Sequence, residues 1–176
     1  MTPRWQLARS KAVDLLRRCD VQHPPVPVED LARECGAVIR REMLDSDMSG
    51  MVYRLNPSRA VIGVNTKHST TRQRFTIAHE LGHLLLHDSE QLHFDDKFVI
   101  GFRNTESSLA MDPKEVEANQ FAAELLMPIS LLRRDLQALG SFDADSDEVI
   151  VNLASTYEVS TAAMAIRISR FLTLHR

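Results

Sequence analysis

Apolar residues recur along this chain with two different periods, and the changes of period mark out its elements. Between residues 4 and 19, Ala8, Ala12, Leu15, Leu16 and Cys19 fall on one side of a helix and Arg and Lys on the other. That pattern predicts an amphipathic helix packed on a domain. His23-Pro24-Pro25-Val26-Pro27 cannot continue it and predicts a short extended linker. Glu29–Cys35 then reads as a short helix, with acidic residues in its first turn and Gly36 after its end. Three stretches rich in Val, Ile, Met and Tyr follow at Ala37–Glu42, Gly50–Leu55 and Ala60–Asn65, and Asn56-Pro57-Ser58 suits a hairpin between the last two. They predict a small, mainly antiparallel three-stranded sheet. An exposed strand of such a sheet has backbone groups free to align an extended peptide.

After the sheet the helical period returns. Ser69 or Thr70 is placed to cap a helix centred on Phe75–His87, FTIAHELGHLLLH, where Ile77, Leu81, Leu84 and Leu85 recur at helical spacing. Asp88–Asp96 is polar, Lys97–Arg103 has the character of a strand, and Asn104–Asp112 reads as a loop. Pro113–Leu126 predicts another long helix with Ala118, Phe121, Ala122 and Leu125 on its core face. Small Ala118 and Ala122 would let it pack closely on the preceding helix. Pro128 opens a helix running to Leu139 and stopped by Gly140. Val149–Tyr157 and Thr161–Leu172 then form a hairpin around Glu158-Val159. The elements together predict an α+β fold. Its small sheet packs on a mostly helical domain of residues 1–140, and the C-terminal helical hairpin, residues 141–176, packs on that core.

The helix at Phe75–His87 also carries candidate chemistry, the motif H-E-x-x-H with His79, Glu80 and His83. Residues four apart share a helix face, so both imidazoles can reach one ion, and Zn²⁺ accepts such nitrogens at about 2.0–2.1 Å. Glu80 is rotated by about 100° from His79 and would flank the metal. From there it can take a proton from a water that the metal acidifies, as a general base. Leu81 can anchor the helix, and Gly82 is expected to leave room for a substrate backbone. The plain alternative is an ordinary amphipathic helix on which these residues coincide. A third ligand must come from elsewhere. His87 lies about 12 Å along the helix axis from His79, too far for both to touch one ion. His23, His68 and His93 have only their identity in their favour. Helix Pro113–Leu126 offers Glu115, Glu117 and Glu124, and helical phase leaves Glu115 and Glu117 as open alternatives.

Charge and cysteine usage narrow the partners. With 21 Lys and Arg against 24 Asp and Glu, a net charge of −3 gives no basic field for nucleic acid. The segment LASTYEVSTAAMAIRISRF has the outline of a helix-turn-helix. Its second helix, however, begins with Ser160, Thr161, Ala162, Ala163 and Met164, its arginines come later, and the preceding acidic run repels phosphate. Direct nucleic-acid binding is therefore not expected, and the hairpin reads as a packing or substrate-docking element. Cys19 and Cys35 lack metal-type spacing and read as reduced core thiols. No run approaches a membrane span and MTPRWQLARSK lacks a signal-peptide core, which points to the cytoplasm.

HELGHLLLH followed by EANQFAAELLMP, with VPVEDLARECGAVI and RQRFTIAHELGH upstream, resembles the ImmA/IrrE family of zinc metallopeptidases over most of the chain. The resemblance implies a zincin-like fold with Zn²⁺ held by His79, His83 and Glu117 and with Glu80 as general base. Glu117 is singled out because it directly precedes Ala118-Asn119; Asn119 and the Leu-Met-Pro ending would be structural. It also implies a substrate class, helix-turn-helix repressors of the Xre type cut at a specific bond to release genes under stress. The expectation is thus a cytoplasmic zinc endopeptidase whose partner is a regulatory protein. The alternative is a non-catalytic metal-containing module that binds a repressor or DNA, and the presence of Glu80 speaks against it.

Overall fold

The structure, a computed structural model, describes residues 2–45, 47–87, 92–95, 112–140 and 146–174. Helix α1 (Trp5–Arg18) buries Ala8, Ala12, Leu15 and Leu16, the face that the apolar spacing selects. Helix α2 (Val28–Glu34) is followed by Gly36, whose φ of +80° and close approach to the Ser58 carbonyl both require glycine. Cys19 and Cys35 sit just past the ends of these helices, half-buried against the core, with free thiols.

Strands β1 (Ala37–Glu42), β2 (Gly50–Asn56) and β3 (Arg59–Asn65) form the expected sheet, and β4 (Leu92–Asp95) adds a fourth strand. The spatial order is β1-β3-β2-β4. β1 runs parallel to β3, from Ala37 opposite Ala60 to Glu42 opposite Asn65, while β2 runs antiparallel to both β3 and β4. Central β3 buries Ala60, Ile62 and Val64. The three-stranded expectation is therefore one strand short. Leu92-His93-Phe94-Asp95 is too brief, and too embedded in polar sequence, for its alternation to stand out. The strand expected at Lys97–Arg103 lies outside the described residues.

Helix α3 (Thr70–Leu86) starts where Ser69 Oγ accepts a hydrogen bond from the Arg72 backbone N–H, and it buries Ile77, Ala78 and Leu81 completely. Helix α4 (Pro113–Leu126) begins with proline at its first position, and the Asp112 carboxylate accepts from the Lys114 N–H. The two helices pack closely at Gly82. A Cβ there would stand 3.1 Å from Ala118 Cα and 3.2 Å from its carbonyl oxygen. Gly82 thus serves helix–helix approach, a correction to its expected service to a substrate backbone, while Ala118 is small for the reason the sequence suggests.

Helix α5 (Ile129–Ala138) leads to the hairpin of α6 (Asp147–Tyr157) and α7 (Thr161–Leu174), which turns at Glu158 in the left-handed region. Tyr157, Met164 and Ile168 of the hairpin belong to the same buried cluster as α1, α3 and α4. An ion pair fastens it: Arg167 Nη2 donates to Glu124 Oε2 at 2.7 Å and its Nε to the Met127 carbonyl at 2.9 Å, with Arg167 6% and Glu124 2% exposed. No single helix among the described residues is long and apolar enough to cross a membrane. Truncating one partner of a buried pair strands the other charge, so Arg167→Ala is expected to cost about 3–5 kcal/mol in denaturant unfolding. A loss below about 1 kcal/mol would mean that the pair does not fasten the hairpin.

Candidate metal centre

His79 and His83 project from adjacent turns of α3 and are 3% and 2% exposed, with their Nε2 atoms 3.1 Å apart. From α4, Glu115 reaches them both: Oε2 lies 3.2 Å from His79 Nε2 and Oε1 lies 3.2 Å from His83 Nε2. From β4, His93 Nε2 comes within 3.2 Å of Glu115 Oε1, and its ring stacks on His83 with centroids 3.6 Å apart. The four side chains offer ligand atoms that all lie within 4.8 Å of one another. Donors at about 2.0–2.1 Å from a tetrahedral ion stand about 3.3 Å apart. The contacts of 3.1 Å between the two imidazoles and 3.2 Å from Glu115 to each histidine fit that edge length.

The hydrogen bonds behind these atoms show why a cation suits them. His79 Nδ1 lies 2.9 Å from Asn119 Oδ1, an acceptor, so Nδ1 carries the proton and Nε2 presents a lone pair. His87 Nε2 lies 3.1 Å from Glu117 Oε2 and donates to it, so His87 Nδ1 accepts from His83 Nδ1 at 3.1 Å. His83 Nε2 is then also left with its lone pair. Burial lowers the His83 pKa to about 4, so its ring is neutral at pH 7. Lone pairs and a carboxylate facing one point at this spacing repel unless a cation lies between them. The donor set fits a divalent ion of the zinc type.

Glu80, between the two histidines in sequence, is fully buried and faces β2; its Oε1 would lie 3.7 Å from a Cβ placed on Gly50. Beside the cluster is a cavity of about 160 Å³ whose lining includes Phe75, Asn119, Met127, Ala163, Ile166 and Arg170. Phe75 stacks on His79 at a centroid distance of 6.2 Å.

Glu117, the third ligand implied by the resemblance, is placed elsewhere. Residues two apart on a helix point about 200° apart, so Glu115 and Glu117 cannot face the same group. Glu115 and Asn119, four apart, share the face toward His79. Glu117 instead accepts hydrogen bonds from the Arg4 backbone N–H at 2.7 Å, from Arg4 Nη2 at 2.8 Å and from His87. Burial works against its ionisation, yet the Arg4 bonds prevail and the pKa falls to about 2. His87 stays outside the convergent set, as its axial offset requires, and supports His83 from behind. The i, i+4 spacing of Glu115 and Asn119 was a readable signal for that face. His93 gave none, because only the pairing of β4 with β2 carries it to α3.

A helix bearing H-E-x-x-H, a carboxylate from the next long helix and a small sheet alongside are the parts of a zincin-like domain. The sequence model of the Peptidase_M78 family, the IrrE N-terminal-like domain, matches residues 32–169, and the chain belongs to this family. Comparison with curated proteins returns no match. Among solved structures, a Mycobacterium tuberculosis transcriptional regulator superposes with a TM-score of 0.53 at 16% identity, over 90% of this chain and 45% of that one. This chain therefore spans under half of that protein's length, and the likeness is one of fold. If the centre holds metal as its donors suggest, Glu115→Ala abolishes stoichiometric zinc binding. Glu117→Ala keeps it and weakens affinity by about 10–100-fold, as loss of a supporting partner does. Metal analysis with chelator competition decides, and the opposite ranking would restore Glu117 as the ligand.

Proposed function

We propose that this protein is a zinc-dependent endopeptidase that cuts a regulatory protein, a helix-turn-helix repressor of the Xre type being the substrate class favoured by its family. The observation that carries this reading is the convergence of His79, His83 and Glu115, with Glu80 set between the two histidines on the same buried helix. When bound, zinc supplies Lewis acidity that brings water toward a pKa near 7 and polarises a carbonyl.

The chain's own residues do the rest. Glu80 accepts the proton of the attacking water and delivers it to the nitrogen of the departing amine, so one carboxylate serves both halves of the hydrolysis. Asn119 and His87 hold the imidazoles in the tautomer that leaves Nε2 free. The cavity beside Phe75 is suited to an apolar substrate side chain, with Arg170 placed to favour a nearby acidic group. Specific cleavage accords with a site this enclosed, since a generic chain must present a matching extended segment to reach it.

A second reading, a non-catalytic module with a structural metal, is favoured by one observation, the presence of His93 as a fourth donor. Glu80 separates the two. The purified protein, incubated with helix-turn-helix repressors from the same genome, is expected to yield one discrete cleavage. Glu80→Gln is expected to keep its metal and lose on the order of 10²–10⁴-fold in rate. A Glu80→Gln variant that cleaves normally, or a folded wild type that takes up no metal, would overturn the endopeptidase reading.

A further inference from the structure

β4 stands in an unusual place. β2 packs on α3, with Gly50 close to Thr76 and Glu80, and its outer edge is where an extended peptide would add to the sheet beside the metal centre. β4 already occupies that edge: Gly50 pairs with Asp95, Val52 with His93 and Tyr53 with Leu92, all antiparallel. The same strand delivers His93 to the centre, with its Nε2 3.2 Å from Glu115 Oε1 and its ring stacked on His83. The His93 side chain is 17% exposed and so is largely shielded from solvent. Between Val52, Arg54, His83, Leu84 and His93 the remaining cavity is about 10 Å³. That is no more than one water needs, and far too small for a peptide.

A catalytic zinc site keeps three protein ligands and an open fourth position, whereas four protein donors make a closed site. With His79, His83 and Glu115 as the three, His93 is the donor at hand for the fourth. We infer that Leu92–Asp95 is an internal occupant of the substrate edge, holding the enzyme latent by pairing with β2 and capping the metal through His93. The inference rests on the endopeptidase reading and adds to it a resting state that substrate has to displace. Strand pairing and imidazole coordination reinforce each other: the metal holds His93, His93 holds the strand, and the strand denies the edge to other peptides. Release of either contact weakens the other, so the device is cooperative.

The test uses the full chain loaded with Co²⁺ as a spectroscopic stand-in, and acetohydroxamate, a small chelating ligand, as probe. In the wild type the visible spectrum should be that of four protein donors and should resist acetohydroxamate. In His93→Ala the spectrum should change on addition, with a probe affinity roughly tenfold or more above that of the wild type, while zinc affinity falls by roughly tenfold or more. Amide exchange across Leu92–Asp95 in the wild type should be slower with metal than without it, a readout that needs no variant. Equal probe affinity in the two proteins, or exchange that ignores the metal, would overturn the inference while leaving the endopeptidase reading intact. A wild type that binds neither Co²⁺ nor Zn²⁺ would instead overturn the metal reading, and this inference with it.

Discussion

The approach of α3 to α4 at Gly82 and Ala118 is the constraint on which the centre depends. Donors from two helices meet at one point only if the helix axes are close and their rotation is fixed. A Cβ at Gly82 would press on the Ala118 backbone and the Phe121 ring of the helix that carries Glu115. The same contact sets Asn119 against His79 Nδ1, so one piece of packing places both a convergent donor and the group that fixes an imidazole tautomer.

Helix α4 distributes three carboxylates among three neighbours. Glu115 faces the centre, Glu117 is held by Arg4 at the start of α1, and Glu124 is held by Arg167 of α7. Buried carboxylates are unfavourable without such partners. Each one therefore makes its neighbouring element necessary. The terminal helices are bound into the protein by charge as well as by apolar contact, and the acidic character of α4, which reads in sequence as a solvated surface, is largely internal.

Much of this was legible in the residues. Strand β1 and helix α4 have the ends that pattern and turn chemistry assign, and H-E-x-x-H marked the helix on which everything converges. Periodicity expresses burial along a single element, so it finds faces well. It does not say which of two faces at the edge of an apolar stripe meets a particular neighbour, so phase alone leaves Glu115 and Glu117 open, and only the shared face of Glu115 and Asn119 hints at the answer. His93 shows the harder limit. Its place depends on a four-residue strand paired with one some forty positions earlier, and nothing local encodes such pairing. Gly82 has the same limit, because a missing Cβ records close approach without naming what approaches.

The Arg4 contact has a consequence for where the working unit begins. The segment matched by the family model starts at residue 32, yet Glu117 takes hydrogen bonds from both the backbone and the guanidinium of Arg4. Through His87 that carboxylate is connected to the ring of His83. The first turn of α1 is thus a strap across the back of the centre, and force or displacement applied to it is transmitted to an imidazole three links away. A portion cut to the family boundaries would retain every convergent donor and still lose the far anchor of one of them.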